Sequence, residues 1–87
     1  MTERILVAYA PRYGSTAEVA EAIGEELRRS GADVDVRPVS EVRDLSPYRA
    51  AVIGSPIYMG KWLPEPQVFI ERNQQRLRTI PVAYFAV

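Results

Sequence analysis

The apolar positions of this chain fall into three short continuous runs, one short alternating run and two longer ones of helical period. Ile5, Leu6, Val7, Ala8, Tyr9 and Ala10 follow one another without a polar break, which predicts a strand covered on both faces. Pro11 cannot extend a ladder and Gly14 permits a turn, so the strand ends there. From about Thr16 to Ser30, Val19, Ala20, Ile23 and Leu27 recur at helical spacing. Arg28 and Arg29 occupy the last turn, where they suit the helix dipole, and Glu25 is placed to pair with Arg29. Gly31 then predicts a left-handed stop. Asp33 to Val39 alternates Val34 and Val36 with charged residues, as a half-exposed strand does, and Pro38 places it at an edge or at its end.

Ser40 to Arg49 reads as a connector holding at most a helical turn or two, anchored by Leu45 and Tyr48. Ala50 to Ser55 is a second buried-strand pattern that ends at Gly54. Residues 56–64 predict a loop, and Glu65 to Thr79 a helix with Phe69, Ile70 and Leu77 inward and Asn73 interrupting their stripe. Arg72, Arg76 and Arg78 read as its exposed basic side. Pro81 to Val87 is a third buried-strand pattern. Helices alternating with strands imply an α/β fold with parallel pairing and right-handed crossovers.

Composition narrows the function classes. At 87 residues the chain holds one small domain, residues 1–87. Eleven basic and eleven acidic side chains cancel, and no long basic run is present, so nucleic acid is not the expected partner. No stretch resembles a signal peptide or a membrane span, and the chain is expected in the cytoplasm. Without a single Cys or His, disulfides, thiolate catalysis, Cys or His metal sites and His-based triads are excluded. Redox chemistry would have to come from a bound cofactor.

The candidate chemistry sits at the ends of the first and third strands. A strand, a glycine-containing turn and a helix starting at Ser15 and Thr16 bring free N–H groups to the carboxyl edge of a sheet, where anions bind. Ser15 and Glu18 also fit a capping box that needs no ligand. After Ser55, the segment Pro56, Ile57, Tyr58, Met59, Gly60, Lys61, Trp62, Leu63, Pro64 is unusually aromatic for a loop. Packing of Tyr58 and Trp62 explains part of this, and a flat aromatic ligand explains it better. In the strand order 2-1-3-4-5 the first and third strands are neighbours at a topological switch point, so both loops meet there.

These residues resemble a known family. AYAPRYGSTAEVAEAI is similar to the phosphate loop and first helix of flavodoxins, and AVIGSPIYMG to their loop after the third strand. With the ending RLRTIPVAYFAV, the chain most resembles flavodoxin-domain proteins of the group that includes the quinone-dependent protoporphyrinogen oxidase. The resemblance implies a flavodoxin-like three-layer sandwich with a parallel sheet in the order 2-1-3-4, truncated before a fifth strand. It implies FMN as cofactor, with the phosphate at Arg12, Tyr13, Gly14, Ser15 and Thr16. Pro11 and Tyr13 stand where the family loop has hydroxyl residues, and Arg12 offers charge-assisted bonds in compensation. The ring is expected against Ser55, Pro56, Ile57, Tyr58, Met59 and Gly60, stacked on Tyr58, with Met59 or Trp62 as alternatives. The chain corresponds to the first half of the family domain, so it is expected to be a fragment of a longer protein or to have its open sheet edge covered by a second copy.

The resemblance implies an FMN-dependent oxidoreductase acting on a small molecule or redox partner, such as a quinone or a porphyrinogen. An electron carrier is the alternative, and zero net charge argues against the acidic patches that carriers use. A phospho-receiver domain would need an Asp where the chain has Gly54 and Ser55. A fold remnant without cofactor, serving assembly, is the remaining reading.

Overall fold

The first strand, β1 (Arg4–Tyr9), organises the molecule because it has no face left for solvent. Leu6, Val7 and Ala8 are fully buried, and successive residues of a strand point to opposite faces. Leu6 and Ala8 belong to one apolar cluster, Ile5 and Val7 to another. Two covering layers are therefore required. The computed structural model describes residues 4–10, 15–58, 61–62 and 64–87; Ser15, Ile57, Tyr58, Lys61 and Trp62 are described through their backbone alone.

The further elements are α1 (Ser15–Arg29), β2 (Asp33–Pro38), a single 3-10 turn at Val39–Glu41, β3 (Tyr48–Ser55), β4 (Ile57–Tyr58), β5 (Lys61–Trp62), α2 (Pro64–Arg72), α3 (Gln74–Leu77) and β6 (Val82–Ala86). The main sheet has the order β2-β1-β3-β6, and its three pairings are parallel. Counting its strands alone, this is the expected order 2-1-3-4. α1 covers one face through Ala20, Ile23 and Leu27, which pack with Ile5, Val7 and Val34. The other face is covered by Phe69 of α2 and Leu77 of α3, together with Val39 and Leu45 from the connector.

Local chemistry explains several boundaries. Gly31 ends α1 with φ of 96°, a conformation that glycine adopts without a steric penalty. Arg29 pairs with Glu26 at 3.2 Å rather than with Glu25. Gly24 lies on the sheet side of α1, where a Cβ would come 2.6 Å from Val36 Cγ2; the glycine sets how closely helix and sheet approach. Val34 on edge strand β2 has its carbonyl bonded by Arg28 Nη2 at 3.0 Å. In the connector, Asp44 accepts from the Ser46 backbone N–H at 3.0 Å and from its hydroxyl at 2.7 Å. These two bonds hold the Asp44 carboxyl below its ordinary range.

Three expectations are corrected. The helix expected from Glu65 to Thr79 is two helices that part at Asn73. Asn73 turns its amide back to the Phe69 carbonyl at 2.9 Å, a local bond that competes with helix continuation. Arg76 is not part of an exposed basic side. It donates to the carbonyls of Tyr48 at 2.7 Å, Ser46 at 3.3 Å and Leu45 at 3.4 Å, tying α3 to the start of β3; Arg72 and Arg78 are exposed. The third apolar strand is not buried. β6 forms the sheet's edge among the described residues, and Tyr84 is 54% exposed there, because an edge strand has a neighbour on one side only.

Two outcomes test this packing. A Cβ on Gly54 would collide with the Phe85 ring, so Gly54→Ala is expected to lower stability by about 2 kcal/mol, read from urea unfolding. Part of the loss returns in Gly54→Ala/Phe85→Leu, because the two sites share one contact. The Tyr48 hydroxyl donates to Asp35 Oδ2 at 2.8 Å, and burial, then this bond, then the carboxylate's charge raise the phenol above its ordinary 10.0. The folded chain holds that proton more tightly than the unfolded chain does. Its contribution is complete below pH 10 and declines as pH rises toward the folded value. Tyr48→Phe is expected to flatten this alkaline decline in stability, measured alongside tyrosinate absorbance.

Candidate functional site

Parallel pairing puts the ends of β1, β3 and β6 on one edge of the sheet. Tyr9 pairs with Gly54, and the Ala10 N–H bonds the Gly54 carbonyl at 3.2 Å. The Val87 N–H bonds the Ser55 carbonyl at 3.2 Å. The two segments singled out by sequence therefore leave the sheet from adjacent strand ends. The glycine at 54 has a packing reason that no local pattern announces: the Phe85 ring occupies the space where a side chain would stand.

At the start of α1, Thr16 is fully buried. Thr16, Ala20, Ile23 and Leu27 follow helical spacing, so Thr16 extends the inward line of the helix toward its first turn. Among the described residues its Oγ1 is a buried polar atom without a hydrogen-bond partner. Leaving a hydroxyl in that state costs about 1–3 kcal/mol. Nearby helix N–H groups have no intrahelical acceptor, so the first turn of α1 gathers donors around an unsatisfied hydroxyl. That donor set suits an anion, and it fits a phosphate.

On the β3 side, Ser55 and Pro56 are buried, and the Ser55 hydroxyl donates to the Pro56 carbonyl at 2.9 Å. The segment after them, expected as a loop, contains a small antiparallel hairpin. Ile57 pairs with Trp62 and Tyr58 with Lys61. Of the expected site residues, Thr16, Ser55 and Pro56 are described in full and stand at the ends of neighbouring strand–loop units. Ser15, Ile57 and Tyr58 are placed by their backbone. Arg12, Tyr13, Gly14, Met59 and Gly60 lie outside the described residues, as does Pro11. Among the described residues no cluster of acidic side chains could hold a metal ion. None of their helices is long and apolar enough to cross a membrane.

Residues 6–87 match the family model of the flavodoxin domain. The chain belongs to the flavodoxin family. Protoporphyrinogen IX dehydrogenase [quinone] of Escherichia coli strain K12 is 29% identical over 86 residues, covering 97% of this chain and 48% of that protein. This flavodoxin domain thus spans about half the length of the curated relatives it matches. A flavodoxin from the domain Archaea superposes with a TM-score of 0.77 at 26% identity, over 85% of this chain and 53% of that one. A Fusobacterium nucleatum flavodoxin variant bound to flavin mononucleotide gives 0.66 at 18% identity, over 99% and 51%, which shows the shared fold.

The orphaned hydroxyl gives a direct test of the site without any ligand. Thr16→Val keeps the shape and removes the unsatisfied oxygen. It is expected to leave the ligand-free domain equally stable or about 1 kcal/mol more stable, read from thermal or urea unfolding.

Proposed function

We propose that this flavodoxin domain binds FMN at the carboxyl edge of its sheet and serves the redox chemistry of a quinone-linked oxidoreductase. The observation that carries the reading is the buried Thr16 hydroxyl in the first turn of α1, which has no partner among the described residues. Family membership and the quinone-named relative support it from the side of sequence.

In this reading the phosphate is held by the backbone N–H groups of Gly14, Ser15 and Thr16 and by the hydroxyls of Ser15 and Thr16, with Arg12 and Tyr13 beside it. The flavin ring lies along Ser55, Pro56, Ile57, Tyr58, Met59 and Gly60, with Tyr58 as its stacking partner. When bound, FMN supplies the electron and hydride transfer that the protein's own side chains cannot. The chain's part is to bind and to orient. The Ala10 to Gly54 bond fixes the spacing between the phosphate side and the ring side. The Thr16 hydroxyl donates a hydrogen bond to the phosphate and so gains the partner it lacks among the described residues.

Fluorescence titration tests this on the 87-residue chain, with FMN and riboflavin as paired ligands. FMN fluorescence is expected to change with one-to-one saturation, and Thr16→Val to weaken FMN at least about tenfold. Riboflavin lacks the phosphate, so its weaker binding should be the same in both proteins. Absence of saturable FMN binding, or equal loss for both ligands in the variant, would overturn the assignment.

A further inference from the structure

The crossover from β2 to β3 is unusually thin. Parallel strands of one sheet are joined by crossovers of a dozen or more residues, usually containing an α-helix, and β2 and β3 lie on either side of β1. Here nine residues, 39–47, contain a single 3-10 turn. Val39 and Leu45 dip into the core, at 6% and 2% exposure. They do not fill the space that a crossover helix would take, and a groove of about 680 Å³ remains between residues 39–43 and α2. That volume is in the range of small-molecule sites.

The lining has a definite chemistry. Val39 and Phe69 are buried at its base and Val42 is partly buried, while Val68 is 47% exposed on the α2 wall. Arg43 stands on the connector wall and Arg72 on the last turn of α2. Both are exposed, and neither has a hydrogen-bond or ion-pair partner among the described residues. Their placement differs from that of Arg76, whose guanidinium is engaged with the carbonyls of Leu45, Ser46 and Tyr48. Glu65 also lines the groove, but in the first turn of α2. A helical rise puts it about 10 Å from Arg72, so acidic and basic groups lie at opposite ends of that wall.

We propose that this groove is a second binding site, separate from the strand-end site, for a small amphipathic anion: an apolar body with a carboxylate or sulfonate at one end. The body lies on Val39, Val42, Val68 and Phe69, and the anionic end is held between Arg43 and Arg72. Guanidinium groups bind such planar anions with charge-assisted, bidentate bonds. The inference does not rest on flavin binding, since none of these residues belongs to the flavin assignment.

Two fluorescent probes of similar size separate the two parts of the claim. 1-Anilinonaphthalene-8-sulfonate carries the anion, and N-phenyl-1-naphthylamine is its neutral counterpart. In flavin-free 87-residue chain, the sulfonate is expected to bind saturably at one site and more tightly than the neutral probe. Arg43→Gln/Arg72→Gln alters exposed side chains only and should weaken the sulfonate about tenfold while leaving the neutral probe unchanged. Val68→Glu on the exposed wall should weaken both. Cooperative unfolding of each variant confirms that the probes report on folded protein. Non-saturable binding, equal weakening of both probes by the arginine changes, or indifference to Val68→Glu would overturn the site. FMN titration of the same variants should be unaffected, which keeps failure here distinct from failure of the flavin assignment.

Discussion

The two-sided burial of β1 is the constraint on which the remaining structure depends. Burying side chains such as Leu6 and Val7 completely contributes about 2 kcal/mol each, and these residues lie on opposite faces of one strand. One helical layer cannot serve both. α1 covers one face, and the other is closed by α2, α3 and the plugs Val39 and Leu45. Parallel pairing follows, because each strand must reach the sheet again after crossing one of these layers.

The candidate site is a consequence of that arrangement. With β1 and β3 adjacent and parallel, their outgoing segments start side by side, and the Ala10 to Gly54 hydrogen bond fixes their separation. The inward stripe of α1 then carries Thr16 into the interior at the helix end that points to the same edge. Packing alone would favour valine or alanine at such a position. A buried hydroxyl with no partner among the described residues is a local cost, and conflicts of this kind mark places where function competes with stability.

The connector between β2 and β3 shows the opposite economy. Its short path is held by Asp44 turning onto Ser46 and by Arg76 reaching the carbonyls of Leu45, Ser46 and Tyr48. These polar bonds replace the helix–sheet packing of a longer crossover. The result is a firm attachment at one end and an open groove at the other, bounded by two arginines with no partner among the described residues.

The sequence by itself determined the strands of the main sheet, the first helix and the α/β alternation that implies parallel pairing, and it singled out the two strand-end segments. Each of these rests on periodicity, on turn residues or on motifs contained within a dozen residues. Gly31, Pro38 and the apolar runs carry their meaning locally. Contacts distant in the chain were decided only by tertiary structure. Arg76 reads as a solvated helix charge until the connector is folded beneath it, and Asn73 reads as a mere interruption of the helical stripe until its amide turns to Phe69 and parts two helices. The apolar pattern of β6 suits a strand with neighbours on both sides, and among the described residues only β3 pairs with it. Gly54 owes its identity to Phe85, more than thirty residues later, and the sequence names Thr16 without showing that its hydroxyl is buried and has no partner among the described residues. Local patterns record what a segment needs; which groups satisfy it depends on what the fold brings alongside.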